Sequence, residues 1–279
     1  MSQFIRHFAS NRGAVFGSFI LLIVILAGVF CSFVFEESPW MMVAQPLILP
    51  FHDSEYLLGT DMLGRDIASG LAYGARVSLF VGIVSTLVAV IVGVLIGALA
   101  GFYGGWIDDV MMRFTEFFQT IPQLAMAVVL VAILSPSMYS IVGAIAIVSW
   151  PPVARLVRGE FLSLKQREFV QAAVVIGQRP IRIIFTQILP NAISPIIVTA
   201  SLMIATAILT ESALSFLGLG DRNMMSWGFM IGASRTMLRE APWMSIMPGL
   251  AILFTVLAIN LIGEGLNDAM NPQLRKRGE

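Results

Sequence analysis

Residues Arg167 to Asn191 read REFVQAAVVIGQRPIRIIFTQILPN, a polar and basic segment between long apolar runs. Ala172 and Ala173 favour a helix and let another backbone come close. Gly177 predicts the end or a bend of that helix, because glycine adopts left-handed conformations without strain. Pro180 lacks a backbone donor and suits the first turn of a further helix. From this segment alone, an ordinary basic loop with one helical turn remains the alternative.

The composition indicates a membrane protein rather than a soluble domain. The chain is 57% hydrophobic and 12% charged, with a mean hydropathy of +0.86, whereas soluble domains carry about 25% charged residues. Several apolar runs reach the roughly 20 residues that a helix needs to cross a bilayer. The single cysteine, Cys31, excludes an intramolecular disulfide framework and a multi-thiolate metal site.

Hydropathy predicts an all-α, polytopic membrane protein with six transmembrane helices, since backbone groups in lipid must be satisfied within each segment. The spans are expected at about residues 13–35, 77–101, 115–135, 139–158, 191–217 and 246–266. The first is longer than the apolar core of a signal peptide, so it is interpreted as a retained anchor. In the fourth, Trp150, Pro151 and Pro152 predict a kink or an early end.

Gly93, Gly97 and Gly101 recur every four residues and share one face of the second predicted helix. Small residues at this spacing let two helices approach closely in lipid. Generic close packing is the preferred interpretation, and a contact that can slide, within the chain or with another membrane subunit, is the alternative.

The distribution of Lys and Arg predicts the orientation in the membrane, because these residues concentrate in cytoplasmic loops. With a cytoplasmic amino terminus, 12 of the 17 Lys and Arg lie inside and 5 lie outside. The inside set is Arg6, Arg12, Arg113, Arg155, Arg158, Lys165, Arg167, Arg179, Arg182, Arg275, Lys276 and Arg277. Both termini and the loop at about 159–190 are therefore expected in the cytoplasm.

Three further stretches occur in order along the chain with the Arg167–Asn191 segment. They are LGTDMLGRDIASGLAYGARVSL (Leu58–Leu79), ESALSFLGLG (Glu211–Gly220) and PWMSIMPGLAILFTVLAINLIGEGLNDAMNP (Pro242–Pro272). Together the four resemble the permease subunits of type I ABC importers, in the dipeptide, oligopeptide and nickel group. The amino-terminal NRGAVFGSFIL suits the C-type subunit of that group, so the resemblance covers nearly the whole chain.

The resemblance implies that the loop at 159–190 is an EAA loop, whose short cytoplasmic helix docks on an ATP-hydrolysing subunit. The residues it assigns to this coupling loop are Glu168, Gln171, Ala172, Ala173, Gly177, Arg179, Leu189 and Pro190. Gln171 departs from the family pattern, which usually has Glu there, and Gln187 stands where Ile is common. The hydropathy spans divide the chain into residues 1–76, expected as an amino-terminal helix with an extracytoplasmic segment, and residues 77–279, expected as a five-helix permease core.

The same resemblance implies the partners and the cargo. A second homologous permease, two ATPase subunits and an extracytoplasmic binding protein are expected in the inner membrane of a bacterium. Peptides or similar small solutes are the expected cargo. ATP and Mg²⁺ are expected on the partner subunits, and neither a cofactor, a metal nor a nucleic acid is expected on this chain.

Two groups of polar residues outside the loop are further candidates. Asp61, Arg65 and Asp66 suggest a tight turn at the membrane boundary, which is either a structural ion pair, the interpretation slightly preferred, or a docking surface for a binding protein. Glu211 near the end of an apolar helix is costly unless it faces protein or water. It is expected to have a structural role, with a substrate contact or a gate as the alternative.

The last predicted helix carries Asn260, Glu264 and Asn267 at helical spacing, so they share a face. They predict a polar seam with a partner permease. No GxxxxGK loop followed by Ser or Thr, no HExxH and no GxSxG occurs, so the chain is not expected to be an enzyme. Two classes therefore remain: an ABC importer permease, which is preferred, and a self-sufficient secondary transporter or channel with Glu211 and Glu264 as ion-coupling residues.

Overall fold

The computed structural model describes residues 2–270. The predictions that rest on Arg275, Lys276 and Arg277 lie outside the described residues. Within them, the α-helices are α1 (Ser2–Ser10), α2 (Arg12–Val34), α3 (Ile67–Tyr103), α4 (Gly105–Gln119), α5 (Gln123–Leu134), α6 (Met138–Lys165), α7 (Glu168–Val175), α8 (Pro180–Ile183), α9 (Leu189–Leu214), α10 (Trp227–Ser234) and α11 (Trp243–Met270). Two π-helical turns, Ile184–Ile188 and Ser215–Leu219, adjoin α9, and a 3₁₀ turn, Arg235–Met237, follows α10.

Five helical segments among the described residues are long and apolar enough to cross a membrane. They are α2, α3, α6, the continuous helix from Pro180 to Leu219, and α11. The bent pair of α4 and α5 makes a sixth if it is counted as one span. The prediction of an all-α, polytopic membrane protein is confirmed.

The third predicted span, 115–135, is broken rather than straight. Helices α4 and α5 meet at an angle of 83°, and Pro122 lies directly before α5. A proline cannot donate to the preceding turn, so the helix ends at Gln119 and starts again at Gln123. The prediction of one uninterrupted helix here was wrong.

The fourth span does not end at Pro151 and Pro152, since α6 continues to Lys165. The carbonyl of Val148, four residues before Pro152, has no helical amide to accept from, and Gln123 Nε2 donates to it at 3.4 Å. This contact from α5 compensates for the missing backbone bond. Of the two alternatives predicted at Pro151 and Pro152, a kink or an early end, the early end was therefore wrong, and the connection to α7 is short.

Helix α3 is central to the bundle and begins at Ile67 rather than at about residue 77. Its glycine face packs against α6 within the same chain: a Cβ on Gly97 would collide with the Ala154 carbonyl and lie 2.8 Å from Val157 Cβ. Gly93 and Gly101 make equally close approaches to α6. The three glycines therefore let α3 pack closely against α6, which is the preferred interpretation of their spacing.

Candidate functional site

Helix α7 has one face in the core of the bundle. Val170 and Ala173 are 1% and 4% exposed, and they belong to a buried cluster that also contains Phe161 of α6 and Ile183 and Ile188 from the start of the next helix. Because α7 has only eight residues, its stability depends on this packing rather than on helix propensity. Ala173, a predicted coupling residue, is thus a packing residue of α7.

The opposite face of α7 is exposed. Glu168, Gln171, Ala172 and Val175 all lie on it, at the spacing of neighbours on one side of a helix. Val175 and the adjacent Ile176 are 86% and 77% exposed, respectively. The free surface therefore combines small, apolar and polar side chains at the tip of the loop.

Gly177 ends α7 in a Schellman motif. Its φ is +79°, a left-handed value that costs other residues about 1–2 kcal/mol. The Gly177 amide donates to the carbonyl of Val174 at 2.9 Å, and the Gln178 amide donates to that of Ala173 at 3.1 Å. This cap satisfies carbonyls of the last turn and sets the direction in which the chain leaves the loop.

The chain re-enters the bundle through Pro180, which occupies the first turn of α8 after the exposed Arg179. Further on, Pro190 has no backbone N–H to donate to the preceding turn of helix. Just before it, the backbone forms the wider π-helical turn Ile184–Ile188. In this turn the Leu189 amide donates to Ile184, five residues back. The predicted residues Leu189 and Pro190 therefore shape the start of a long helix and do not lie at the exposed tip.

Two cationic residues that the sequence indicated only as members of the cytoplasmic set tie α6 to its neighbours near this loop. Arg158 makes a bidentate ion pair with Asp108 of α4, with Nε to Oδ1 at 2.5 Å and Nη2 to Oδ2 at 2.6 Å. Lys165 donates to the Phe102 carbonyl at the end of α3 and lies 5.5 Å from the Phe102 ring centroid. Two features of the sequence could have indicated the Arg158–Asp108 pair. One is an aspartate three residues after Gly105, and the other is an arginine within an apolar helix.

The turn before α3 contains the ion pair that was expected there. Arg65 Nε lies 2.5 Å from Asp61 Oδ2, and the Arg65 guanidinium stacks 5.5 Å from the Trp40 ring centroid. Asp66 does not join this pair but caps α3 by accepting from the amides of Ala68 and Ser69 at 2.9 and 3.1 Å. Burial raises the pKa of the Asp66 carboxyl, against the lowering effect of these two bonds.

Glu211 is 2% exposed and is surrounded by serine hydroxyls. Its Oε1 accepts from Ser215 at 2.8 Å and from Ser226 at 2.7 Å. The Ser226 oxygen also accepts from the Phe229 amide at the start of α10. Glu211 thus joins the end of α9 to the cap of α10, and we call this group the Glu211 clasp.

The three polar residues of α11 differ in their surroundings. Glu264 and Asn267 are exposed, and Asn260 is half-buried. Asp268, their neighbour, accepts from Asn11 Nδ2 at 2.9 Å, which ties the start of α2 to the end of α11. The polar seam with another permease stays a prediction.

A protein-family model described as "Binding-protein-dependent transport system inner membrane component" matches residues 93–276. The dipeptide transport system permease protein DppC of Alkalihalophilus pseudofirmus is 40% identical over 97% of this chain and 89% of its own length. The oligopeptide transport system permease protein OppC of Escherichia coli is also 40% identical, over 97% of this chain and 90% of its own length.

Solved structures share the fold at low sequence identity. A chain of the MetNI methionine ABC transporter, in an inward-facing conformation, superposes with a TM-score of 0.61 at 17% identity. The match covers 72% of this chain and 97% of that one. An amino acid ABC transporter solved with histidines gives a TM-score of 0.53 at 15% identity, over 68% and 89% of the two chains.

Proposed function

The chain belongs to the family of binding-protein-dependent transport inner-membrane components, and from that premise we propose that helix α7 couples it to an ATP-hydrolysing partner. The chain is a multi-pass permease subunit of an ABC importer. The observation that carries the proposal is the division of α7 into two faces. Val170 and Ala173 anchor the helix in the bundle, and the face with Gln171 and Ala172 is free for a partner.

A helix held in this way can transmit force. Its base is packed among Phe161, Ile183 and Ile188, so a displacement of the exposed tip must also move α6 and the helix that begins at Pro180. Interiors are close-packed and do not deform continuously. Closure of two ATPase subunits on ATP would therefore shift whole helices and switch the access of the path. Gln171 presents a neutral amide to the partner at the position where the family usually has Glu.

The proposed assembly contains this chain, a second homologous permease, two ATPase subunits and an external binding protein. ATP and Mg²⁺ belong to the ATPase subunits. The relatives named as dipeptide and oligopeptide permeases support peptides or similar small solutes as the cargo. The permease core, expected from residue 77, would begin with α3 at Ile67. Both termini and α7 would lie in the cytoplasm of a bacterium, as the distribution of Lys and Arg favours.

Cysteine crosslinking tests the coupling role. Ala172→Cys and Val175→Cys, on the exposed face, are each made in a Cys31→Ala background and expressed with the neighbouring ATPase and permease genes. We expect a crosslink to an ATPase subunit whose yield changes with nucleotide. The matched control is Ser54→Cys, at an exposed position in the segment that precedes α3. It should give no such product.

A folded, membrane-inserted chain that crosslinks to no ATPase from either position would refute the coupling role of α7. Transport by the chain alone would instead support the secondary-transporter alternative. The Glu211 clasp bears on that alternative, since its carboxylate is engaged by serine hydroxyls rather than open to a path.

A further inference from the structure

The break between α4 and α5, at residues 120–122, lies deep in the membrane. Gln123, the first residue of α5, donates to the Val148 carbonyl of the spanning helix α6 at 3.4 Å. Val148 lies ten residues after Met138, where α6 begins, and seven before Arg155, the first charged residue of that helix. At roughly 1.5 Å per residue, these separations are about 15 Å and about 10 Å. The break is therefore well inside the hydrocarbon layer, which is about 30 Å thick.

The backbone at this break lacks protein partners within the described chain. The first three amides of α5 precede its first backbone hydrogen bond, which Met126 donates to Pro122, and no described side chain caps the helix. Every residue from Thr120 to Ala125 is exposed. Within the hydrocarbon layer, irregular backbone is tolerated only inside protein or along a water-filled cavity. The break must therefore face another subunit or water.

Glu116 of α4 also lies within the hydrocarbon layer. The rings of Phe114 and Phe118, two residues to either side of it, pack on the Trp150 ring of α6 at centroid distances of 5.8 and 5.3 Å. Trp150 precedes Arg155 by five residues, or roughly 7–8 Å along the helix. At this depth an exposed carboxylate is costly where it meets lipid.

The exposed surface of α4 has two chemically distinct faces. Asp109, Arg113 and Glu116 are exposed and recur at helical spacing on one face, which we call the charged face. The other face is apolar, and its exposed side chains are Trp106, Val110, Phe114 and Phe117. Arg113 and Glu116 are close enough in sequence to pair, but neither takes part in an ion pair with a described residue. The apolar face suits lipid or an apolar partner, which leaves the charged face free to turn to water.

We infer that the charged face of α4 and the break before α5 line the aqueous translocation path of the importer. Water in the path hydrates Arg113 and Glu116 and also satisfies the uncapped amides of α5, so one orientation of the helix pair accounts for both features. A dry contact with the second permease would need a partner for each charge, because an unpaired charge is strongly disfavoured when it is desolvated. The inference rests on the membership of the chain in a family of transport components and not on the coupling role proposed for α7.

Spin labels on single cysteines test this orientation. Thr120→Cys at the break and Glu116→Cys on the charged face are each made in the Cys31→Ala background. The labelled chain is placed in lipid nanodiscs with the subunits that copurify. Power-saturation electron paramagnetic resonance then measures collisions with oxygen, which concentrates in hydrocarbon, and with a polar nickel chelate, which stays in water. Ile23→Cys is the matched control, because Ile23 is exposed in the middle of α2, which has no charged residue after Arg12.

We expect the nickel chelate to collide with the labels at the break and on the charged face roughly tenfold more often than with the label on α2, since polar solutes are excluded from hydrocarbon. Frequent collisions with oxygen but few with the chelate, as expected on α2, would place both positions against lipid and overturn the inference. Few collisions with either would place them in a dry contact with another subunit and overturn it as well. The measurement needs no nucleotide, so failure of the coupling role of α7 would leave these collision rates unchanged.

Discussion

Removal of the Glu211 carboxylate should loosen the connection between α9 and α10. In the wild type, the hydroxyls of Ser215 and Ser226 lie 2.8 and 2.7 Å from Glu211 Oε1. Glu211→Ala removes this acceptor and leaves both hydroxyls without it in a buried site. An unsatisfied buried polar group costs about 1–3 kcal/mol, and truncation of a buried side chain adds a cavity. Because burial of the carboxylate itself is unfavourable, the net loss is expected at about 2–4 kcal/mol.

The loss should be local and dependent on chemistry. Glu211→Gln keeps a carbonyl oxygen that can accept from both serines, so it should cost only about 1 kcal/mol. Hydrogen exchange of residues 220–237 should rise strongly in Glu211→Ala and weakly in Glu211→Gln. Thermal unfolding of the purified complex should follow the same order, with a decrease of roughly 5–10 °C for the alanine variant.

Glu240→Ala is the matched control for this experiment, since an exposed glutamate should change stability by less than about 0.5 kcal/mol. If Glu211→Ala unfolds and exchanges like the wild type, the clasp does not hold α10. If Glu211→Gln keeps full stability but loses transport, the carboxylate acts in a gate or in ion coupling, and the structural account of Glu211 fails.

Three further changes probe the packing of the bundle and the loop. Gly97→Leu should prevent folding, because even its Cβ would collide with the Ala154 carbonyl; a normal monodisperse yield in size-exclusion chromatography would contradict the α3–α6 contact. Gly177→Ala should cost about 1 kcal/mol through its φ of +79° alone, since nothing lies within 4 Å of an added Cβ; faster hydrogen exchange in residues 168–178 of a folded protein is the expected result. Asp108→Asn should cost about 0.5–1 kcal/mol, because the Arg158 side chain is 36% exposed and water partly screens the pair; a double-mutant cycle with Arg158→Gln on thermal unfolding should give a coupling energy above zero.

The sequence was sufficient for the class of fold and for the conformation of the loop. Apolar runs of membrane length determined the spans, because a lipid-exposed backbone has no alternative to the helix. The signals of Gly177 and Pro180 were correct as well: each restricts the backbone locally, so no knowledge of the neighbours was needed.

Features that depend on tertiary partners could not be predicted in the same way. Pro151 and Pro152 suggested an end to α6, whereas Gln123 from another helix supplies a donor to the carbonyl of Val148. The propensity of Ala173 did not reveal which face of α7 it occupies, because the cluster that buries it is assembled from distant segments. Hydropathy also averages over Pro122 and thus missed the 83° bend.

Uptake by proteoliposomes tests the central claim most directly. One set contains this chain alone, and the other contains it with the second permease, the ATPase subunits and the binding protein loaded with a labelled peptide. We predict uptake only in the complete set, and only with ATP and Mg²⁺ inside the vesicles, on the ATPase face and opposite the binding protein. Val175→Glu, which places a charge at the exposed tip of α7, should lower uptake while the complex still folds. Uptake by the chain alone without nucleotide would contradict the account.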